Sequence, residues 1–355
     1  MGTHSPTPLF WKRRNARIIN YTKEIIAKGN VLPLESIAKC NELPLVGCFS
    51  RTSFSMAVRM YLRPPSKKPM LADFTIVPAL LDNRNSFDSP FFNRFELRKD
   101  KQPLQLTDSI AKDFLFPTLY NNVSCAIGIF MCSYAKAKAL LPHPSMRPVS
   151  MPGGRAVVIF SCYEYKDVLG MKPYNEIAMT IPILMGDGIS IPVLPLVSKA
   201  FKNFGYHVFS MPVTSLENQL RGTKIWGIPK VVERIDIDMA NGQSTTVAFD
   251  ADGREYFRLS VPTQGKAQHF DEIGNLYSVL NGKVLKAETN FKGDFAVNKN
   301  IGLLWNKAKK AEKPTLILGN SPRAAMLKSL ELEECAFQTR HCSKLEACFD
   351  LPKGK

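Results

Sequence analysis

Short apolar segments separated by glycine, proline or polar residues recur along the chain, and this pattern predicts β-strands. Four of them lie near the middle of the chain, at residues 123–132, 156–163, 176–185 and 206–213. Three more follow, at residues 232–239, 244–250 and 254–261. The last three are joined by Asn241-Gly242 and Asp252-Gly253. Because Asn-Gly and Asp-Gly supply the positive φ angles of tight hairpin turns, we expect these strands to form an antiparallel meander.

Helices are few in this pattern. Amphipathic spacing predicts three of them, at residues 12–28, 134–141 and 196–204. Asn281-Gly282 predicts one further hairpin. A chain of many strands and few helices predicts an α+β protein with mainly antiparallel β-structure. We expect its sheet to be strongly curved or closed into a β-barrel with a few flanking helices.

The uneven distribution of the strands predicts three regions. Residues 1–115 contain turn-rich, charged stretches, and we interpret them as an N-terminal accessory region made of one helix and long loops. Residues 116–333 form the barrel domain, and residues 334–355 form a C-terminal tail. The tail contains three cysteines and a histidine, but their spacing fits neither a zinc motif nor a redox pair. No metal site is therefore predicted.

The composition is that of a globular protein. The 355 residues are 45% hydrophobic, which is enough to fill a sizeable core. No run of 18 or more apolar residues occurs, and the first residues lack the apolar segment of a secretory signal. The eight cysteines are scattered, which fits a reducing compartment. We expect a cytoplasmic protein.

The chain is strongly basic, with 47 Lys and Arg against 31 Asp and Glu and a formal net charge of +16. Such a surface attracts anions. Two basic clusters stand out: Lys12, Arg13, Arg14 and Arg17, and Lys307, Lys309, Lys310 and Lys313. No recognition motif with interleaved aromatic residues accompanies them, so we expect contact with anionic surfaces and not with nucleic acid. We also expect a homo-oligomer.

One lysine stands in apolar surroundings, in the segment RGTKIWGIPKVVE of residues 221–233. Ile228 and Pro229 precede Lys230, and Val231 and Val232 follow it. One interpretation is an exposed amine on an apolar stem. The other is a desolvated amine, which loses its charge easily and can attack a carbonyl. A closed barrel would give such a lysine an interior to point into.

Alternation along YNEIAMTIPIL, residues 174–184, places Glu176 on the same strand face as Tyr174 and Ala178. Glu176 is either a surface carboxylate on a half-buried strand or a group inside the barrel. The same alternation places Phe209 and Met211 on one face of a neighbouring strand. Phosphate-binding loops and the HExxH and GxSxG motifs do not occur, so no cofactor is predicted.

The chain resembles the acetoacetate decarboxylase family over about residues 120–330. The segment GTKIWGIPKVVE, residues 222–233, is similar to the family pattern Gly-Arg-Glu-Ile-Trp-Gly-Phe-Pro-Lys-Lys. YNEIAMTIPI is similar to the family's Tyr-x-Glu strand, and residues 313–332 resemble its closing strand and helix. The resemblance implies a barrel of the acetoacetate decarboxylase type.

The resemblance also implies a Schiff-base lysine, which falls on Lys230. In the family this lysine condenses with a keto group, and the protonated imine accepts electrons when a carbon–carbon bond breaks. Glu176 aligns with a family carboxylate near the imine, as an acid/base or positioning group. The chain departs from the family at Val231, which replaces a second lysine, at Val123, which replaces an arginine near the substrate carboxylate, and at Ser161, which replaces a second glutamate.

The chain thus resembles the family's divergent branches, which keep the nucleophile without the groups that handle a carboxylate. We expect little or no decarboxylation of acetoacetate, unless Arg155, Arg221 or Lys224 supplies the missing charge. The favoured function is a Schiff-base-forming lyase or aldolase-type enzyme acting on a keto or keto-acid substrate. A true acetoacetate decarboxylase and a non-catalytic barrel that binds an apolar ligand remain open as alternatives. Besides Lys230 and Glu176, the predicted pocket consists of Val123, Ser161, Phe209, Met211, Trp226, Ile228 and Val231.

Overall fold

The computed structural model describes residues 70–188, 191–198, 200–307 and 313–354. The strands in these ranges are β1 (Arg98–Lys99), β2 (Leu104–Thr107), β3 (Ile110–Lys112), β4 (Leu115–Phe116), β5 (Thr118–Ser133), β6 (Met146–Pro148), β7 (Arg155–Val168), β8 (Tyr174–Met185), β9 (Phe204–Val213), β10 (Lys230–Val232), β11 (Arg234–Ala240), β12 (Gln243–Phe249), β13 (Glu255–Pro262), β14 (Lys266–Leu280), β15 (Lys283–Lys299), β16 (Leu316–Leu318), β17 (Gln338–Phe349) and β18 (Lys353–Gly354). The α-helices are α1 (Tyr134–Ala139), α2 (Leu216–Trp226) and α3 (Pro322–Lys328). Short 3-10 helices occur at Arg84–Ser86, Phe92–Arg94, Leu194–Leu196 and Ile301–Leu304.

Seven long strands close into a barrel, in the order β9, β14, β15, β17, β5, β7 and β8, with β8 pairing back to β9. The neighbours in this ring run antiparallel except β9 and β14, which pair in parallel through Tyr206 and His207. The predicted closed and mainly antiparallel barrel is therefore confirmed, and it is a mixed barrel because of this one pair. The hairpin predicted at Asn281-Gly282 is confirmed as the turn between β14 and β15.

The short strand β10 completes the barrel wall at one place. One edge of β9 pairs with β8. Its other edge pairs with β14 at Tyr206 and His207 and with β10 at Met211–Val213. Because β14 leaves β9 after two residues, β10 takes its place farther along, and Lys230 stands opposite Met211 in the wall.

Two apolar cores lie on the two sides of the wall. The inner core receives side chains from all seven strands, among them Val123, Tyr165, Tyr174, Met211, Leu276, Phe295 and Leu345. The outer core lies between the barrel and a second, four-stranded sheet of β11, β12, β13 and β16. Phe160 and Ile181 of the barrel meet Phe257 and Leu259 of this sheet there. The predicted meander of β11, β12 and β13 is confirmed, but it forms this covering sheet and not the barrel.

Of the three predicted helices, one is confirmed, one is wrong and one lies outside the described residues. Residues 134–141 contain α1, as predicted. The helix predicted at 196–204 is wrong, because Leu194–Leu196 forms a 3-10 helix and Phe204 already pairs with Leu184 as the first residue of β9. The helix predicted at 12–28 lies outside the described residues. Helix α2 was not expected.

The predicted three-region division differs from the structure at both ends of the barrel domain. The proposed tail of residues 334–355 contains β17, which lies between β15 and β5 and is part of the closed ring. Leu106 and Phe114, assigned to the accessory region 1–115, are buried in the inner core. Barrel closure explains the first difference, because β17 fills a position in the ring that residues 116–333 alone leave open. Leu106 and Phe114 add to the inner core without joining the ring.

None of the helices in the described ranges has both the length and the apolar character needed to span a membrane.

Candidate active site

The segment between α2 and β10 brings Lys230 into the wall. Helix α2 begins after Ser215, whose side chain accepts a hydrogen bond from the backbone N–H of Asn218 at 3.2 Å. It ends at Gly227, which has a left-handed φ of 61°. A Cβ atom at Gly227 would lie 2.6 Å from the carbonyl oxygen of Val279, so only glycine fits this turn. The backbone N–H of Met211 then bonds to the carbonyl of Pro229 at 3.1 Å, which fixes the start of β10.

The amine of Lys230 is held by two acceptors inside the barrel. Its Nζ lies 2.5 Å from Oε2 of Glu176 on β8 and donates a second hydrogen bond to Oδ1 of Asn218 on α2. The side chain of Lys230 is 7% exposed, and that of Glu176 is 5% exposed. The alkyl stem passes over Gly222, where a Cβ atom would lie 2.6 Å from Cδ and Cε of the lysine. These contacts fix both the position and the direction of the amine.

Burial lowers the pKa of Lys230 below the ordinary lysine value of 10.5, because the interior disfavours the charged form. Glu176 opposes this shift through its charge and its hydrogen bond, whereas the positive charge of Arg221 adds to it. The net effect is a lowered pKa, so at a given pH a larger fraction of Lys230 carries the uncharged amine than of a surface lysine.

Tyrosines form the wall next to this pair. The hydroxyl of Tyr165 donates to Oε1 of Glu176 at 3.3 Å, and Nζ of Lys230 lies 5.9 Å from the ring centroid of Tyr174. Tyr120 and Tyr174 pack against the ring of Tyr165, with centroids 4.7 and 4.8 Å away. Burial raises the pKa of all three tyrosines, so their hydroxyls stay protonated and can donate hydrogen bonds.

Helix α2 turns a polar face toward the barrel. Besides Asn218 and Gly222, this face carries Glu217 and Arg221, which are both buried. Glu217 pairs with Lys112 of β3 at 2.7 Å. Arg221 is 2% exposed and contacts neutral groups. A helix that buries a polar face in a closed barrel is typical of a site and not of a plain apolar core.

The sequence match decides the family. Residues 101–295 match the model of the family described as acetoacetate decarboxylase, and this range is more than half of the chain. The chain belongs to the acetoacetate decarboxylase family. Lys230 and Glu176 both lie within the matched range. No curated protein matches the chain in sequence.

Solved structures with a similar fold include an acetoacetate decarboxylase from Legionella pneumophila subsp. pneumophila str. Philadelphia 1, with 14% identity, a TM-score of 0.48, and coverage of 83% of this chain and 98% of that one. The enduracididine biosynthesis enzyme MppR, bound to a condensation product of pyruvate and imidazole 4-carboxaldehyde, has 10% identity, a TM-score of 0.45, and coverage of 67% and 88%. An acetoacetate decarboxylase-like enzyme from Sphingomonas wittichii RW1 has 14% identity, a TM-score of 0.43, and coverage of 70% and 94%. These are distant likenesses, so the family assignment rests on the sequence match.

The structure places five of the predicted pocket residues on the inner side of the barrel wall. Val123, Met211, Trp226 and Ile228 belong to the inner core. Ser161 is buried on β7 and, by alternation, shares the inward face of Tyr163 and Tyr165. Met211 pairs with Lys230, and the carbonyl of Ile228 accepts a hydrogen bond from the backbone N–H of Lys230 at 2.8 Å. The roles of all these positions toward a substrate stay predictions.

The other two predicted pocket residues, Phe209 and Val231, lie elsewhere, and Trp226 lies where the inner core meets the end of β17. Phe209 packs on the outer core, because an irregularity in the pairing of β8 with β9 reverses the alternation between Val208 and Met211. Trp226 stacks on Phe349 with centroids 5.0 Å apart and donates to the carbonyl of Asp350 at 2.9 Å, so it anchors the end of β17. Val231 follows Lys230 on β10, and alternation directs its side chain away from the lysine amine.

Sequence reasoning missed Asn218 and Tyr165 as neighbours of the candidate pair. Asn218 could have been found from the cap signals of α2, namely Ser215 before the helix and Gly227 after it. Tyr165 could have been found by alternation along β7. No three His, Cys, Asp or Glu side chains in the described ranges lie close enough together to hold a metal ion.

Proposed function

We propose that this protein uses Lys230 to form an imine with a keto compound and thereby makes or breaks a carbon–carbon bond, as a lyase or aldolase-type enzyme. The observation that carries the proposal is the buried amine of Lys230, held by Glu176 and Asn218 with a lowered pKa. A lysine nucleophile needs an uncharged amine, and desolvation provides it.

The proposed reaction begins when the lone pair of Nζ attacks the carbonyl carbon of the substrate and forms a carbinolamine. Loss of water gives the imine, and its protonated form accepts the electron pair of the carbon–carbon bond that breaks. The released fragment leaves as carbon dioxide or as a carbonyl compound, and the remaining enamine takes up a proton at carbon. Water then hydrolyses the imine, which returns the free lysine.

Glu176 is positioned for proton transfer in this sequence. Its Oε2 contacts Nζ of Lys230 at 2.5 Å, which is within reach for accepting a proton from the ammonium and returning it to the leaving hydroxyl of the carbinolamine. Tyr165 binds the other carboxylate oxygen and orients the group. Asn218 has a positioning role, because its amide oxygen directs the amine without competing for a proton.

Borohydride reduction tests the proposal, because it converts a transient imine into a stable secondary amine. The protein is incubated with small ketones and keto acids, reduced, and analysed by intact mass and peptide mapping. We expect one adduct, on Lys230, and none in Lys230→Ala. Lys328→Met, at an exposed position on α3, is the control and should keep the adduct. The proposal would be refuted if none of the carbonyl compounds gave an adduct.

A non-catalytic barrel is the second candidate, and the ion pair between Lys230 and Glu176 favours it. In that case the lysine neutralises a buried carboxylate and has no further task. The two candidates differ in the trapping experiment, because an amine that serves only as an ion-pair partner gives no reduced adduct. Decarboxylation of acetoacetate is a narrower form of the first candidate, and we expect it to be weak because Val123 offers no charge to a carboxylate next to the reacting carbonyl.

A further inference from the structure

Arg221 is a buried cation without a carboxylate partner among the described residues. Its side chain is 2% exposed. One terminal nitrogen contacts Sδ of Met171 at 3.0 Å, and the other donates to the hydroxyl of Thr118. Its Nε donates to no atom in the described part of the chain. Taking a guanidinium out of water without an anion is costly, so such a group is rare unless a ligand completes it.

The carboxylates nearest in the fold are already paired. Glu217 lies one helical turn before Arg221 but binds Lys112, and Glu176 binds Lys230. The polar layer between α2 and the barrel therefore holds three cations and two carboxylates. One positive charge is left over, and it is the charge of Arg221. Aromatic rings supply part of the compensation: the guanidinium lies 4.6 Å from the ring centroid of Phe114 and 5.3 Å from those of Phe116 and Trp226.

Arg221 and Lys230 belong to one site but have separate surroundings. Arg221 lies one turn after Asn218 and directly before Gly222, and these two residues hold the amine and the stem of Lys230. The contacts of the amine are Glu176, Asn218 and the ring of Tyr174. The guanidinium contacts Thr118, Met171 and the rings of Phe114, Phe116 and Trp226, and the hydroxyl of Tyr120 lies beside it. Tyr174 acts on the charge of both cations, but no residue directly contacts both of them.

We propose that Arg221 binds the carboxylate of the compound whose carbonyl reacts with Lys230, and that at least two methylene groups separate carbonyl and carboxylate in this compound. The proposal rests on the proposed function of Lys230. The length follows from the separate contact sets, because a ligand that reaches both cations has to extend beyond the neighbours of the amine. A β-keto acid has one methylene between the two groups and is too short. Arg221 is thus a specificity-determining residue, supplied by a helix and not by the strand position of Val123.

The test compares keto acids of graded length with neutral ketones of matched length. The probes are acetoacetate, 4-oxopentanoate and 5-oxohexanoate, with 2-pentanone and 2-hexanone as neutral partners. We expect half-maximal borohydride trapping of 4-oxopentanoate or 5-oxohexanoate at a concentration at least about tenfold lower than for the neutral ketones and for acetoacetate. Equal concentrations for the longer keto acids and the neutral ketones would overturn the proposal.

The variant Arg221→Met removes the charge and keeps an apolar side chain among the three rings. We expect it to lose the preference for long keto acids while it still traps neutral ketones. Arg155→Met is the control, because Arg155 is also buried but is paired with Glu333 at 2.9 Å, and it should keep the preference. An arginine with a purely structural role would give Arg221→Met the same preference as the wild type, and this result would overturn the proposal.

A binding measurement on the wild-type protein covers the case in which Arg221→Met does not fold or no imine forms. Pentanoate has the carboxylate but no keto group, and pentanamide has neither a charge nor a keto group. We expect calorimetry to show at least about tenfold tighter binding of pentanoate than of pentanamide. Equal or absent binding of both would overturn the carboxylate site. Binding of pentanoate without any trapped imine would support the carboxylate site and refute the proposed function alone.

Discussion

Two lysine–glutamate pairs are buried beside helix α2, and they differ in their surroundings more than in their own geometry. Lys112 and Glu217 are 2.7 Å apart with side chains 1% and 7% exposed, and Lys230 and Glu176 are 2.5 Å apart with side chains 7% and 5% exposed. Distance and burial do not separate the pairs. Burial and ion pairing alone therefore do not identify a candidate catalytic lysine.

The surroundings do separate them. Lys112 comes from the two-stranded sheet of β2 and β3, and its partner Glu217 also accepts a hydrogen bond from the backbone N–H of Val77 at 3.3 Å. This pair joins α2 to the segments before the barrel. Lys230 lies in the barrel wall, where its amine has a second acceptor and where Arg221 adds a positive charge. The first pair has a structural role, and the second is suited to release its proton.

The largest expected effect comes from removing each lysine in turn. Lys230→Ala should lower any turnover by at least about a thousandfold, because no other group can replace the nucleophile. Lys112→Met should keep imine formation but lower the free energy of unfolding by about 3–5 kcal/mol, because Glu217 is left as an unpaired buried charge. Trapping and denaturant unfolding of both variants provide the measurements. Loss of trapping in a folded Lys112→Met protein would contradict the separation of the two pairs.

The second-largest effect is expected at Gly222, which packs against the alkyl stem of Lys230 and not against Lys112. In Gly222→Ala the added methyl would lie 2.6 Å from Cδ and Cε of the lysine, so the amine has to move away from Glu176 and Asn218. A displacement of about 1 Å can lower a reaction rate by up to about a hundredfold, and we expect imine formation to slow by about 10- to 100-fold.

Gly188→Ala is the control for this substitution, because no atom lies within 4 Å of its added methyl. It should trap the imine at the rate of the wild type. An unchanged rate in Gly222→Ala would show that the position of the amine is not critical.

The sequence predicted the parts of this site that local patterns reveal, and it missed the parts that depend on contacts between distant segments. The apolar run around Lys230 and the alternation near Glu176 are local patterns, and the structure brings the two residues together. Asn218 belongs to a helix whose polar buried face conceals the usual amphipathic signal. Its contact with Lys230 also depends on the turn at Gly227.

The fold shows the same limit. The short alternating strands predicted the closed barrel, which is confirmed. The strand β17 was missed because its inward face carries Gln338 and Arg340 before it becomes apolar at Cys342, so apolar and polar residues do not alternate along it. Its place between β15 and β5 depends on barrel closure, a long-range property that local patterns do not contain.

A smaller effect is expected for the pH dependence of Lys230. Glu176 stabilises the charged amine, so Glu176→Gln should lower the pKa of Lys230 further and move the midpoint of imine formation to lower pH, by about one pH unit or more. The sign follows because the uncharged amine is the reactive form and becomes populated at a lower pH. The measurement is the trapping rate of a neutral ketone as a function of pH. A midpoint that moves upward would mean that Glu176 does not stabilise the ammonium.

The smallest effect is expected for Tyr165, whose hydrogen bond to Glu176 is 3.3 Å long. Tyr165→Phe keeps the ring stack and removes one donor, which costs about 0.5–1.5 kcal/mol. We expect turnover to fall about 2- to 10-fold. Tyr163→Phe is the matched control, because Tyr163 stacks on Tyr165 at 5.3 Å without a hydrogen bond to Glu176. Equal losses in both variants would remove the orienting role from Tyr165.

The most direct test of the central claim is the pH profile of borohydride trapping by the wild-type protein, with acetone as the carbonyl compound and peptide mapping to locate the adduct. We predict a single adduct on Lys230, with a midpoint clearly below the ordinary lysine pKa of 10.5, because burial disfavours the charged amine. An adduct distributed over surface lysines, or one on Lys230 with a midpoint at or above 10.5, would contradict the account.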